Sequence, residues 1–508
     1  MATKILSATY AQFNGILIEV EVNITKGLPA FIIVGLPDTS VKEAKERVRA
    51  AIVNSGYEFP LGRITVNLAP ADVKKIGSLL DLPIALGILM ETNQMKKKDL
   101  KEFIVFGELS LCGEIKRVNG TIPIMLEGIK NSIKNIIFPY ENINECKYYN
   151  KTNNYPFSNL KEVVSFINYE DVLPYNIEEI HLEEENNNMD FSSIIGQSNT
   201  KRAFEIGAAG KHNLLIYGST GVGKTMLAKA LPSILPTLSE EEEIEVAKIY
   251  SASGLLNGNK KITRPFRAPH HTITSTALVG GGRYAQAGEV TLANNGVLFL
   301  DEVLEYKKEV LEALREPLEE GVIHINRVQG SNILKSDFLL CLSTNICPCG
   351  KGGLEDEYNS ACTCSELEKR RYLNRLSKSL MDRIDILNYV PKVKYEELKE
   401  KDKIYTSQKM KERVIKAREV QRKRLRNTKY MYNSEIKGKD IFELCRVSKC
   451  VEEILKYYFN NSSPSLRAYG KVIKVARTIA DLEGNKDILE GDVLEAISYR
   501  KNLKGEII

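Results

Sequence analysis

The sequence has no tryptophan in its 508 residues. That absence carries no functional meaning by itself; two others argue against whole classes, and a third removes an argument. Long apolar runs are missing. The longest, near Leu82 to Met90, is far short of the roughly 20 residues a membrane-spanning helix needs. A secretory leader is not readable in Met1–Gly15, where Lys4, Thr9, Gln12 and Asn14 interrupt the apolar residues, so a cytoplasmic location is expected. An excess of charge is missing too. Lys and Arg number 71 against 66 Asp and Glu, a net +5. Nucleic-acid binding cannot be argued from so small a balance, only from its distribution.

What is present is ordinary: 43% hydrophobic and 27% charged residues, enough for real cores and against global disorder. The length predicts roughly three units. Residues 1–170 read as mixed α/β, with strands at Ile16–Val22, Ala30–Val34, Ile64–Leu68, Phe103–Phe106 and Ile136–Phe138. A helix over Val41–Val53 is expected to be capped by Thr39 or Ser40, and another to span Leu79–Met90. Residues 171–190 are acidic and Asn-rich and read as a linker. Residues 191–392 alternate short apolar strands (Leu214–Tyr217, Gly296–Leu300, Phe338–Ser343) with helices, the pattern of a buried parallel sheet. Residues 393–508 read as helical and basic. The fold class is therefore α/β.

The most specific motif follows the strand Leu214–Tyr217. Gly218-Ser219-Thr220-Gly221-Val222-Gly223-Lys224-Thr225, then a helix opening at Met226, is the strand–loop–helix form of G-x-x-x-x-G-K-[ST]. Glycines let backbone N–H groups close on phosphate oxygens, and the helix N-terminus adds a field that favours an anion. Lys224 is expected on the β- and γ-phosphates of ATP, and Thr225 on Mg²⁺. Downstream, an apolar strand delivers Asp301 and Glu302 at its C-terminal end, where open α/β sheets bind ligands. Asp301 is expected in the Mg²⁺ shell and Glu302 as general base on water.

Asn345 ends the next strand, and an amide there can orient the lytic water; it resembles the sensor-1 position of AAA+ motors. A turn asparagine is the plainer reading. Arg383, in Met-Asp-Arg-Ile-Asp, resembles an arginine finger acting on a neighbouring subunit. The plainer reading is a salt bridge to Asp382 or Asp385. Arg467 resembles the sensor-2 arginine of a lid helix. A trans-acting finger implies a closed head-to-tail ring, most simply a hexamer.

Wider segments carry a closer resemblance. Asp190-Phe-Ser-Ser-Ile-Ile-Gly-Gln, Arg264-Pro-Phe-Arg-Ala-Pro-His270-His271-Thr272, Gly280-Gly-Gly-Arg283, Gly288-Glu-Val-Thr-Leu-Ala, Cys347-Pro-Cys349-Gly and Arg477-Thr-Ile-Ala-Asp-Leu are similar to the magnesium-chelatase-like AAA+ ATPases of the YifB/ComM family. The likeness covers nearly the whole chain, departing at Ala287, where that family usually carries proline. It implies a central AAA+ P-loop sheet, a C-terminal helical lid and a hexameric helicase that migrates DNA branches in homologous recombination during natural transformation. It also implies pore-facing inserts near Ser253–Arg283 and Gly321–Lys335. Arg264, Arg267, His270, His271 and Arg327 are then candidate phosphate-backbone contacts, with a structural role in packing the insert against the core as the alternative for Arg267 and the two histidines.

Residues 1–140 resemble the ribosomal-protein-S5-like fold of Lon-type proteases, through Ile64–Ser78 and Gly107–Gly113. A Lon-type enzyme needs a serine with an activating lysine. Leu79 stands where the nucleophile is expected, beside Ser78, and Thr121–Met125 carries no lysine. The region reads as a non-catalytic platform.

Cys347-x-Cys349 and Cys362-x-Cys364 offer four thiols, which suit either a structural zinc ion or reduced, redox-sensing cysteines. The other five cysteines read as buried apolar residues. Ten Lys or Arg against two Glu lie between Lys409 and Lys429, with Val414, Ala417 and Val420 suggesting an apolar stripe. A solvated helix face or a DNA contact are the alternatives. Three functions follow: an ATP-driven DNA motor, a chelatase-type ATPase that remodels a protein partner, or a Lon-like peptidase, which the missing dyad disfavours.

Overall fold

A computed structural model describes residues 2–75, 77–170, 172–176, 189–256, 260–281, 286–327, 330–352, 362–393, 395, 397, 404–462 and 465–500. Most of the expected linker, 177–188, and Arg283 lie outside them. The described chain forms two compact units: 1–185 with 239–262, and 186–238 with 263–508. The sequence boundaries place 239–262 with the ATPase core, whereas the folded chain packs it into the first unit.

The first unit is built on a four-stranded sheet in the order Thr3–Ala11, Asn14–Thr25, Arg63–Ala69, Ala30–Val34. The first two junctions are antiparallel and the last is parallel. The helix Asp81–Glu91 is buried at every position from Asp81 to Met90. A helix apolar all round belongs inside a core, and Gly87 permits the close approach: a Cβ there would lie 2.5 Å from Val22 Cγ2. A second, parallel sheet joins Phe103–Val105, Asn135–Pro139 and Asn153–Phe157. The helix Glu240–Ala252 docks through its last turn. Ser251 accepts from Gly120 N at 3.0 Å, and its hydroxyl donates 2.7 Å to the buried Glu145 carboxylate.

The fold departs from the sequence expectation at two places. The helix Thr39–Asn54 is capped by Asp38, whose carboxylate accepts from Val41 N at 2.9 Å; a carboxylate one residue earlier reaches the orphan N–H that the hydroxyls were assigned. Thr3–Ala11 is a further strand that the short apolar runs did not reveal.

The second unit centres on a five-stranded parallel sheet in the order Phe266–Arg267, Val297–Leu300, Leu339–Thr344, Leu214–Tyr217, Ile386–Tyr389. The three central strands are wholly buried, as parallel strands covered on both faces must be. Helices Ser407–Leu425, Leu466–Glu483 and Glu490–Ser498 share one apolar core with the sheet, so the sheet and the helical C-terminal region are a single hydrophobic unit. No described helix is long and apolar enough to cross a membrane.

The basic helix Ser407–Leu425 buries Met410, Val414 and Ala417, but Gln421 rather than Val420 continues the stripe. Val420 is exposed. Gln421 is tolerated inside because its amide donates to Ala209 O at 3.1 Å and accepts from Asn433 N at 3.1 Å. Arg413, Arg418 and Arg424 also bond within the unit, to Glu205, Ala208 O and Asp481.

Candidate active site

The site grows from the C-terminal ends of three adjacent strands. Leu214–Tyr217 leads into the loop 218–223, and the helix Lys224–Ile234 begins at once. Gly221 and Gly223 sit at φ +80° and +90°, a left-handed backbone that glycine adopts without penalty. Val222 and Ser219 are buried and anchor the loop, while Met226 is partly exposed on the first helical turn. Gly218 N donates to Thr344 O at 3.3 Å, which ties the loop to the neighbouring strand.

Lys224 is the buried cation of this loop. Its Nζ donates to Gly218 O at 3.0 Å, Ser219 O at 2.7 Å and Asn345 Oδ1 at 3.0 Å. Burial pulls its pKa down to about 8, against the opposing pull of Asp301 and Glu302. An ammonium bonded to neutral oxygens, beside a helix N-terminus, fits an anionic phosphate. Thr225 Oγ1 donates to Asp301 Oδ2 at 2.7 Å; this hydroxyl and carboxylate are the oxygen pair a hard divalent cation requires.

Asp301 is fixed from its other oxygen by the Ser343 hydroxyl. Glu302 has φ +49°, a strained conformation for a residue with a Cβ. It is held by its own N–H, which donates to Asp301 Oδ1 at 3.0 Å and Ser343 Oγ at 3.3 Å. Its side chain is exposed at the strand end. Lys224, Thr225, Asp301, Glu302 and Asn345 therefore converge. Ser343 belongs with them and was missed in sequence; its signal was a small polar residue closing an otherwise apolar strand.

The remaining candidates stand apart. Arg383 pairs with Glu319, not with Asp382 or Asp385, and donates to Ser379 O at 2.5 Å. Arg467 is exposed in the first turn of its helix; among the described residues no hydrogen bond joins it to the P-loop. Arg264 donates to the carbonyls of Pro236, Asn295 and Thr237 at 2.5, 2.7 and 3.3 Å. Arg267 grips Glu289 through two bonds, of 2.5 and 2.8 Å. Both arginines are thus structural braces in this chain, because buried or half-buried guanidinium groups must satisfy their donors. The rings of His270 and His271 lie tilted against each other with centroids 4.0 Å apart, and His270 is exposed. The Arg327 backbone closes a hairpin of Val322–Arg327 with Gly330–Lys335; its side chain lies outside the described residues. Cys347, Cys349, Cys362 and Cys364 cluster, a donor set compatible with zinc.

Comparison with known proteins agrees with this architecture. The family described as magnesium chelatase, subunit ChlI, matches residues 190–398. Its companion, subunit ChlI of Mg-chelatase, matches 20–142, and the ChlI C-terminal family matches 405–500. Competence protein ComM of Haemophilus influenzae is 40% identical over 490 residues, 95% of this chain and 94% of its own. An uncharacterized protein YifB of Escherichia coli is 39% identical over 488 residues, 95% and 94% of the two chains. An uncharacterized protein of Mycobacterium tuberculosis is 35% identical over 501 residues, 98% of each. With both the sheet and the lid matched and the likeness running end to end, the chain belongs to the YifB/ComM family of magnesium-chelatase-like AAA+ proteins.

Proposed function

We propose that this protein is an ATP-driven, ring-forming DNA motor that moves branched recombination intermediates, in a competence-related role like that named for its Haemophilus relative. The observation that carries the ATPase part is the convergence of Lys224, the Thr225–Asp301 pair, Glu302 and Asn345 at one sheet edge. ATP as substrate would supply the electrophilic phosphorus, and Mg²⁺ would neutralise charge on its phosphate oxygens. Thr225 and Asp301 would hold the cation, Lys224 would bind the phosphates, Asn345 would orient water and Glu302 would take its proton. Arg383 of one protomer and Arg467 of the lid complete the charge stabilisation in this reading.

The DNA part rests on family likeness and on the insert loops. With Arg264 and Arg267 committed to internal partners, His270, His271 and Arg327 are the remaining candidates for backbone contacts. The first unit serves as a non-catalytic platform: the Ser78 hydroxyl donates to the Glu108 carboxylate, which is not the lysine partner a Lon-type nucleophile requires.

The test is ATP turnover with and without four-way DNA junctions, with Lys224→Ala as the inactive control, alongside junction unwinding. Stimulation by branched DNA and ATP-dependent branch movement are expected. Intact basal turnover that no DNA stimulates would shift the assignment to an ATPase that remodels a protein partner.

A further inference from the structure

Four sulfurs, from Cys347, Cys349, Cys362 and Cys364, lie within 4.8 Å of one another, and all four cysteines are free. Three of the separations are 3.3, 3.6 and 3.6 Å. A zinc tetrahedron with Zn–S of about 2.3 Å has sulfur–sulfur edges of about 3.8 Å. A disulfide needs about 2.05 Å. The cluster is therefore already close to the metal geometry and far from the oxidised one.

A backbone donor is also aimed at the cluster. Gly352 N–H points at Cys347 Sγ at 3.2 Å. A donor aimed at sulfur fixes its direction, as outer partners of metal ligands do. A Cβ at Gly352 would stand 2.9 Å from Cys347 Sγ, so glycine keeps that cradle open.

The same turn touches the phosphate loop. Gly350 N donates to Cys347 O at 3.0 Å, closing the turn that carries Cys349. Gly350 O accepts from Thr220 N at 2.8 Å and from Thr220 Oγ1 at 3.2 Å. Gly350 has φ +73°, and a Cβ there would come within 2.5 Å of Thr220 Cγ2. The contact is thus made by backbone at a position where only glycine fits without displacement.

We propose that the four cysteines hold a structural zinc ion, and that the zinc-held turn braces the phosphate loop through Gly350, so that nucleotide affinity depends on the metal. The coupling rests on the nucleotide site proposed above; the metal assignment does not.

The experiment uses the full chain purified without chelator. Elemental analysis reads the metal, and a fluorescent ATP analogue reads affinity. About one zinc per chain is expected. Its release by an organomercurial should weaken nucleotide binding about tenfold or more, and excess thiol plus zinc should restore it. Gly350→Ala leaves the ligands untouched; it should keep the zinc and still weaken binding about tenfold. It also covers the case in which the demetallated protein fails to stay folded. The proposal is overturned by a chain holding no stoichiometric metal, by iron in place of zinc, or by unchanged affinity in both the demetallated protein and Gly350→Ala. A zinc-loaded chain that binds no nucleotide would overturn the nucleotide site and the coupling with it, while leaving the metal assignment standing.

Discussion

Lys224 shows how one residue sets the conditions under which the site works. Its ammonium is held by neutral oxygens in a buried loop, and its pKa falls to about 8. A phosphate anion binds the charged form and raises that pKa in the complex. Affinity is therefore complete below about pH 8 and is lost as pH rises through it, approaching tenfold per unit until the pKa of the complex is reached. Nucleotide titrations from about pH 7 to 10 should show that slope in the native protein, and Lys224→Ala should bind weakly with no slope. Glu302 yields a second expectation. Its strained φ is fixed by backbone bonds to Asp301 and Ser343, which an isosteric amide preserves. Glu302→Gln should bind nucleotide normally yet turn over about 10²–10⁴-fold more slowly in single-turnover assays. Normal turnover in that variant would remove the general base from the mechanism.

Among elements, the lid helix Leu466–Glu483 is tied to the strand that follows Arg383 by buried charge. Lys471 Nζ donates to Ile384 O at 2.7 Å, and Arg500 shares that carbonyl at 3.1 Å. Asp385 lies 3.9 Å from Lys471 and accepts from His212. Burial pulls the Lys471 pKa down to about 7, although Asp385 opposes it. Between about pH 7 and 10.5 the unfolded chain binds the extra proton, so this residue's contribution to stability rises with pH and is smallest below about 7. The difference in denaturation midpoint between native protein and Lys471→Met should change across that window by the equivalent of a few kcal/mol at most, about 1.4 per pKa unit before relaxation. A flat difference would mean that the lysine stays charged inside. The capping carboxylate of Asp38 is a smaller matter: Asp38→Ala should cost about 1 kcal/mol.

These elements also show what sequence can and cannot reveal. The phosphate loop, the acidic strand end and the parallel strands are local patterns in which motif and secondary structure coincide, so they were legible. The bonds of Arg264, Arg267 and Arg383 were not. Their partners, such as Asn295, Glu289 and Glu319, lie 31, 22 and 64 positions away, and only the fold brings them together. Gln421 replaced Val420 in the buried stripe for the same reason: its amide is satisfied by a distant carbonyl. The grouping of 239–262 with the first unit likewise depends on Glu145 and Gly120 meeting Ser251.

For the whole molecule, the decisive question is where Arg383 acts. Within one chain its guanidinium is engaged by Glu319 and Ser379, and among the described residues its buried Nε has no hydrogen-bond partner. In a ring it must exchange Glu319 for the phosphate of an adjacent protomer. This makes a prediction about mixtures that no single variant can make. On the proposed ring, Lys224→Ala would destroy a chain's own phosphate site but leave its Arg383 to serve a neighbour, and Arg383→Ala would do the converse. Each alone should be inactive. Mixed in equal amounts and allowed to exchange, they should regain activity at up to about a quarter of the interfaces, where an intact Lys224 meets an intact Arg383. The regained rate should vanish on dilution below the assembly concentration, because a shared site exists only between chains. If Arg383 works within its own chain, the mixture stays silent at every ratio, since no protomer then carries both residues, and the requirement for a ring falls with it.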